Sequence, residues 1–326
     1  MDRFAISSGL MTSTLSQHIS ELRSQIGKTS TEATTGRYED LTLHLSGRIG
    51  KAMLSQKALT DLTSEKEVLD LRSARLSLVQ SSLTTVQESS TGIAASMLSA
   101  VVGNHETEIA TASRDAKAAL STTMSALNAR YGERFLFAGD ATSSIPFAGS
   151  DQLLADIEAI AQMATDANDF EIQLDDYFSS PTGGWQQNIY QGNTTTSDPD
   201  GVNADHEAIR SQIRNLAILS LSGPDGSIAN LDGYSGLIES TSLKLSASET
   251  AITNLRADLG VFEQRIADDL ESLAAEETIL TASFNNLTAR DQYEAASELQ
   301  SLETTLEASY MITARLSQLS LLNYLG

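Results

Sequence analysis

The side chains best suited to catalysis or metal binding are few and scattered in this sequence. Its four histidines, His18, His44, His105 and His206, show no HExxH or other ligand spacing, so each is expected in solvent or at a helix cap. Cysteine is absent, which removes thiolate nucleophiles, disulfides and sulfur-ligated zinc. The acidic pairs Asp175-Asp176, Asp268-Asp269 and Glu276-Glu277 are sequence neighbours. Neighbours on a helix point apart, so these pairs make no acid–base couple. Asp198-Pro199-Asp200-Gly201-Val202-Asn203-Ala204-Asp205 is close in type to a calcium loop, but its glycine comes two places early and Ile209 stands where the closing glutamate belongs. A polar turn ahead of a helix opened by Asp205 is expected instead. No G-x-S-x-G, phosphate-binding loop or G-x-G-x-x-G occurs. The sequence therefore predicts no enzyme and no catalytic, cofactor-binding or metal site.

What remains to be positioned is apolar surface. Over 326 residues, 43 acids face 21 bases, a formal charge of −22. That balance excludes a general binder of nucleic acid or of anionic membranes, because both need basic residues to displace counterions. The first residues hold no apolar run of secretory-signal length, and no stretch approaches the roughly 18–20 apolar residues that span a bilayer. The chain is thus expected either to stay inside the cell or to leave by a route that reads no cleaved signal.

All four prolines, Pro146, Pro181, Pro199 and Pro224, lie in the middle of the chain, as does the single tryptophan, Trp185. Proline-free flanks permit long helices and the middle does not. From Asp140 to Ser235 there are 15 acidic residues against two arginines, Arg210 and Arg214, and no lysine. This marks residues 141–244 as an acidic, outward-facing middle domain between two helical arms.

The arms carry coiled-coil periodicity. Leu62, Leu69, Leu76, Leu83 and Met97 share one heptad register, interrupted at Ser90, and Val79, Val86 and Ile93 fill the companion position. A helix from Leu54 to Val102 would be about 70 Å long. Ile252, Leu255, Leu259, Phe262, Ile266, Leu270, Leu273, Leu280, Phe284 and Leu287 answer it by steps of three and four. A third helix is expected from about Glu106 to Arg130, with Ile109, Ala112, Ala116, Leu120 and Leu127 inward. This out-and-back path makes the arms antiparallel and predicts a core of residues 41–140 plus 245–285.

The ends bear thinner stripes: Leu15, Ile19, Leu22 and Ile26 at one, Leu299, Leu302, Leu306, Tyr310, Leu316 and Leu319 at the other. Two narrow faces on Ser/Thr/Gln-rich helices bury little and are marginal alone. Residues 1–40 plus 286–326 are therefore expected to form a terminal coiled-coil assembly domain, with these ten residues as its interface.

Asn128-Ala129-Arg130-Tyr131-Gly132-Glu133-Arg134-Phe135-Leu136-Phe137-Ala138-Gly139-Asp140, followed by Ile145-Pro146-Phe147, resembles the helix-to-hairpin segment of the flagellin superfamily. More narrowly, it is similar to the hook-associated protein 3 family, the hook–filament junction proteins of bacterial flagella. Leu316 to Leu325 and Tyr190-Gln191-Gly192-Asn193 resemble further segments of that family. The departure is Thr35-Gly36-Arg37-Tyr38, whose turn is recognisable but whose continuation, Glu39 to Leu45, differs from the family's, leaving residues 37–50 atypical. The resemblance implies a mainly α fold with a small β part, in which a long antiparallel helical bundle carries an inserted acidic α+β middle domain. It further implies a secreted structural protein of the flagellum, exported by the flagellar type III system without a cleaved signal peptide, with no enzyme activity or cofactor. Implied partners are further copies in a ring, hook-associated protein 1, flagellin and an export chaperone, with neither nucleic acid nor membrane. A filament flagellin is the neighbouring alternative, and a cytosolic coiled-coil scaffold a remoter one.

Overall fold

A computed structural model describes residues 3–325, with side chains from residue 13 to 316 and at 318. Helices α1 (Arg3–Thr35), α2 (Leu41–Leu45), α3 (Ile49–Ser90), α4 (Ile93–Val102) and α5 (Glu106–Ala126) come first. A two-stranded antiparallel sheet follows, β1 (Arg130–Tyr131) and β2 (Arg134–Phe135), pairing Arg130 with Phe135 and Tyr131 with Arg134. After it come α6 (Ser150–Met163), α7 (Ala167–Ser179), a π-helical turn at Trp185–Ile189, α8 (Glu207–Ser220), a 3₁₀ turn at Ser227–Asn230, α9 (Tyr234–Thr288) and α10 (Gln292–Leu325). The fold is mainly α with a small β part. Packing divides the chain into two compact units, one of residues up to Lys66 and from Ser272 onward, the other Glu67–Glu271.

In the Glu67–Glu271 unit the heptad positions point inward. Leu69, Leu76, Val79, Leu83, Val86, Ile93 and Met97 are all buried, and so is Ser90, the polar interruption of the stripe. Ile252, Leu255, Leu259 and Ile266 of α9 are buried too. Polar side chains hold the two helices in register: Gln80 Nε2 donates to the Arg256 carbonyl at 2.8 Å, and Arg256 Nη1 donates to Gln87 Oε1 at 2.6 Å. The single helix expected from Leu54 to Val102 is two helices. Gly92 sits at φ +85, a left-handed conformation that favours glycine, and its carbonyl accepts from Ser96 N–H to restart α4. The seam keeps its register across the break, which is why the apolar count does not reveal it.

Helix α5 buries Ile109, Ala112, Ala116 and Leu120, and α8, whose Ile209, Ile213, Leu216 and Leu219 are buried, packs on it. Residues 141–244 hold helices and turns, with no strand among the described residues, and the β part lies just ahead of them. Because α8 lies on α5, the middle segment and the helical arm share one core.

The two middle stretches that carry the family resemblance interlock. Asn128 clamps the Phe147 backbone, donating from Nδ2 to its carbonyl at 2.8 Å and accepting its N–H at 3.0 Å. Asn193 N–H donates to the Ala138 carbonyl at 2.8 Å, and the Tyr190 hydroxyl closes the turn on the Asn193 carbonyl at 2.8 Å. Phe147, Phe178, Trp185 and Tyr190 form an aromatic cluster beneath, with centroid separations of 5.4–6.3 Å.

Candidate assembly interface

The side chains with chemical potential lie apart and are otherwise engaged. His105 stands at the start of α5 with Nδ1 3.1 Å from Glu108 Oε2, and His206 caps α8 by accepting the Ala208 N–H at 3.3 Å. His44 stacks on Tyr38 at 3.6 Å, and His18 lines a groove on α1. Asp205 does not open α8. Its Oδ1 is taken by Trp185 Nε1 at 2.7 Å and Arg210 Nη1 at 3.1 Å, so the cap passes to His206. Asp198 faces Arg75 at 3.6 Å and Arg134 at 3.4 Å, and Asp200 pairs with Arg72. These guanidiniums occupy the carboxylates that a cation would need. No group of three or more His, Cys, Asp or Glu among the described residues could hold a metal ion, and no described helix is long and apolar enough to cross a membrane.

The apolar stripes at the chain ends face each other. Helices α1 and α10 lie side by side within their unit, and the contacts run antiparallel: Arg23 meets Tyr310, while Thr34 meets Gln292. Of the residues singled out by spacing, Leu22 is buried. Leu15, Ile19, Ile26, Leu299, Leu302, Leu306 and Leu316 are half-buried. Tyr310 lies at the rim, 40% exposed, with its hydroxyl accepting from Arg23 Nε at 2.8 Å and its ring under the Arg23 guanidinium at 5.6 Å. The Leu319 side chain lies outside the described residues. Among the described side chains of both helices the buried positions are few and mostly small or polar: Leu22, Thr29, Glu32, Ala295 and Ser309. A groove of about 580 Å³ also opens between them, lined by Leu15, His18, Glu21, Ile312 and Leu316.

Spacing did not show how the pair is anchored. Helix α1 ends at Gly36, φ +66, whose N–H returns to the Glu32 carbonyl at 2.8 Å. Arg37 then pairs with Ala289 as an isolated antiparallel bridge, and the Arg290 N–H donates to the Gly36 carbonyl at 2.9 Å. The Arg290 guanidinium pairs with Glu32 and Glu298 and covers the Tyr38 ring at 5.3 Å, while Glu32 Oε1 accepts the Glu39 N–H at 3.0 Å. The turn at Thr35-Gly36-Arg37-Tyr38 was a sequence signal for this place. Nothing in the sequence pointed to Arg290 as its partner.

Residues 244–325 match the bacterial flagellin C-terminal helical region. The chain thus carries a flagellin-type C-terminal region, and the matched span takes in most of α9, the Arg290 turn and α10. Among solved structures, the crystal structure of FlgL from Bacillus cereus is similar, with a TM-score of 0.50 and 14% identity, covering 71% of this chain and 99% of that chain. That likeness is one of fold. No curated protein matches the chain.

Proposed function

We propose that this protein is a non-enzymatic structural subunit of the bacterial flagellum, placed at the junction between hook-associated protein 1 and the flagellin filament. The observation that carries the reading is a flagellin-type C-terminal region whose last helix pairs antiparallel with the first helix of the chain through a thin, half-buried seam. A helix pair that buries so little apolar area among its described side chains gains by packing against further copies. The fold likeness to FlgL and the resemblance of residues 128–147 and 316–325 to the junction family favour a junction subunit over a filament flagellin. On this reading the chain leaves through the flagellar type III system, its C-terminal segment is held beforehand by an export chaperone, and the acidic middle segment faces outward.

The test is genetic. Deleting the gene from its own bacterium should leave hooks capped by hook-associated protein 1, with flagellin shed into the medium. Normal filaments on the deletion strain would overturn the junction role. Loss of the filament protein itself would assign the chain as flagellin.

A further inference from the structure

Within the unit that holds the chain ends, one surface departs from the acidity of the rest. Between Leu41 and Thr60 there are three bases, Arg48, Lys51 and Lys57, and no acid, in a chain of net charge −22. Lys57 pairs with Asp61 on its own helix, whereas Arg48 and Lys51 are exposed and have no ion pair among the described residues. The same stretch exposes large apolar side chains: Leu43 is 77% exposed, Met53 68% and Leu54 69%. Leu54 and Lys51 line a groove of about 780 Å³ whose opposite wall is the end of α9, with Ile279, Ala282 and Leu287. An apolar trough with a free cation on its rim marks an interaction surface.

We infer that this groove receives the outer face of α10 from a second copy of the chain. The inference rests on the self-association read above and specifies a contact for it. Two copies meeting groove to groove would bring Lys51 close to Lys51, so like charge disfavours a two-fold contact. The complementary surface is on the same unit. Tyr293, Gln300, Glu307 and Met311, spaced seven, seven and four, lie on the α10 face turned away from the buried Ala295 and Ser309. Tyr293 and Met311 are exposed, and neither Glu303 nor Glu307 has an ion pair among the described residues. Met311 and Glu307 are one turn apart, as are Leu54 and Lys51, so Met311 seats in the trough while Glu307 meets Lys51. A contact between two different surfaces of one chain repeats head to tail and builds rings or helical arrays instead of closed dimers.

The chain lacks cysteine, so cross-links report without background. Full-length Leu54→Cys and Met311→Cys proteins, mixed under mild oxidation, should form the mixed disulfide in preference to either homodimer, and the double variant should give a ladder of oligomers. In sedimentation, Lys51→Glu should weaken self-association about tenfold, and adding Glu307→Lys should restore it. Self-association without the mixed disulfide, or indifferent to the charge exchange, overturns this groove and leaves the self-association reading intact. Predominant homodimers overturn the head-to-tail arrangement. A chain that stays monomeric at every concentration overturns both.

Discussion

The Glu32 carboxylate of α1 and the Arg290 guanidinium between α9 and α10 form an ion pair across 258 residues of sequence, with side chains only 9% and 12% exposed. Their remaining capacity is also met: Glu32 accepts the Glu39 N–H, and Arg290 reaches Glu298 and covers Tyr38. A buried pair fixes geometry more than it adds stability, since breaking it leaves a charge without water or partner. Here it sets where α1 ends against where α10 begins, and so the register of the two apolar stripes.

Removing one partner should therefore loosen the terminal pair specifically. Arg290→Ala is expected to cost about 3–5 kcal/mol by leaving Glu32 buried without its partner. Arg290→Lys should recover only part, because an ammonium cannot bond Glu32 and Glu298 while covering Tyr38. Hydrogen exchange is the measurement. Protection should fall along α1 and α10 and persist from Leu69 to Leu120, and unchanged protection in α1 would refute the anchoring role.

The long seams were legible in the sequence because their signal is local and repetitive: Leu62 to Met97 keep one register, and burial follows it. Gly92 escaped because the stripe continues across the break. Aspartate is a good cap, so the sequence points to Asp205 as the start of α8, but that carboxylate bonds Trp185, and no local rule announces a partner 20 residues away. The terminal stripes gave the pairing of α1 with α10, but not Glu32 and Arg290. In a chain with 43 acids a single carboxylate carries no mark of its partner.

Two leucines of similar pattern should behave differently. Leu83 is fully buried, so Leu83→Asp puts an unpaired charge inside the Glu67–Glu271 unit, with a loss upwards of about 4 kcal/mol. Leu306 is half-buried on the thin seam, so Leu306→Asp should cost the free chain about 1–2 kcal/mol while abolishing incorporation into the flagellum. Melting temperatures of the purified proteins and filament attachment in complemented cells separate the two. Equal losses of melting temperature would contradict the division.

Glu249 gives a pH dependence of defined sign. Burial raises its carboxyl pKa above the ordinary 4.5, a contact with the Ser90 hydroxyl works the other way, and its Oε1 has no hydrogen-bond partner. The native state thus binds this proton more tightly than the unfolded chain. The stability it contributes is fully present below the unfolded carboxyl pKa and is lost as pH rises through the higher native one. Glu249→Gln should be more stable than the parent near neutral pH, with the advantage shrinking to nothing by about pH 4. A difference in melting temperature that stays constant over that range would show that burial does not raise the Glu249 carboxyl above its unfolded value.

Gly132 and Gly139 offer a controlled comparison at the hairpin. Both have positive φ, +62 and +59, so alanine at either incurs the left-handed penalty of about 1–2 kcal/mol. At Gly132 an added Cβ meets nothing within 4 Å. At Gly139 it would lie 2.2 Å from the Asn193 carbonyl oxygen and 2.5 Å from that of Thr195, both backbone atoms that cannot rotate away. These two irregular stretches are tied by Asn193 N–H donating to the Ala138 carbonyl and Asp140 N–H to that of Thr195. Asp140, held ionised chiefly by the Ser197 N–H it accepts, fixes the far side of the same loop. Gly139→Ala must therefore part the hairpin from the Tyr190–Asn193 turn, and should lower stability by several times the Gly132→Ala loss. Thermal melts of the two variants, with tryptophan emission reporting the Trp185 cluster, provide the check. Equal effects would mean that the turn moves freely and that the interlock does not hold the middle segment in place.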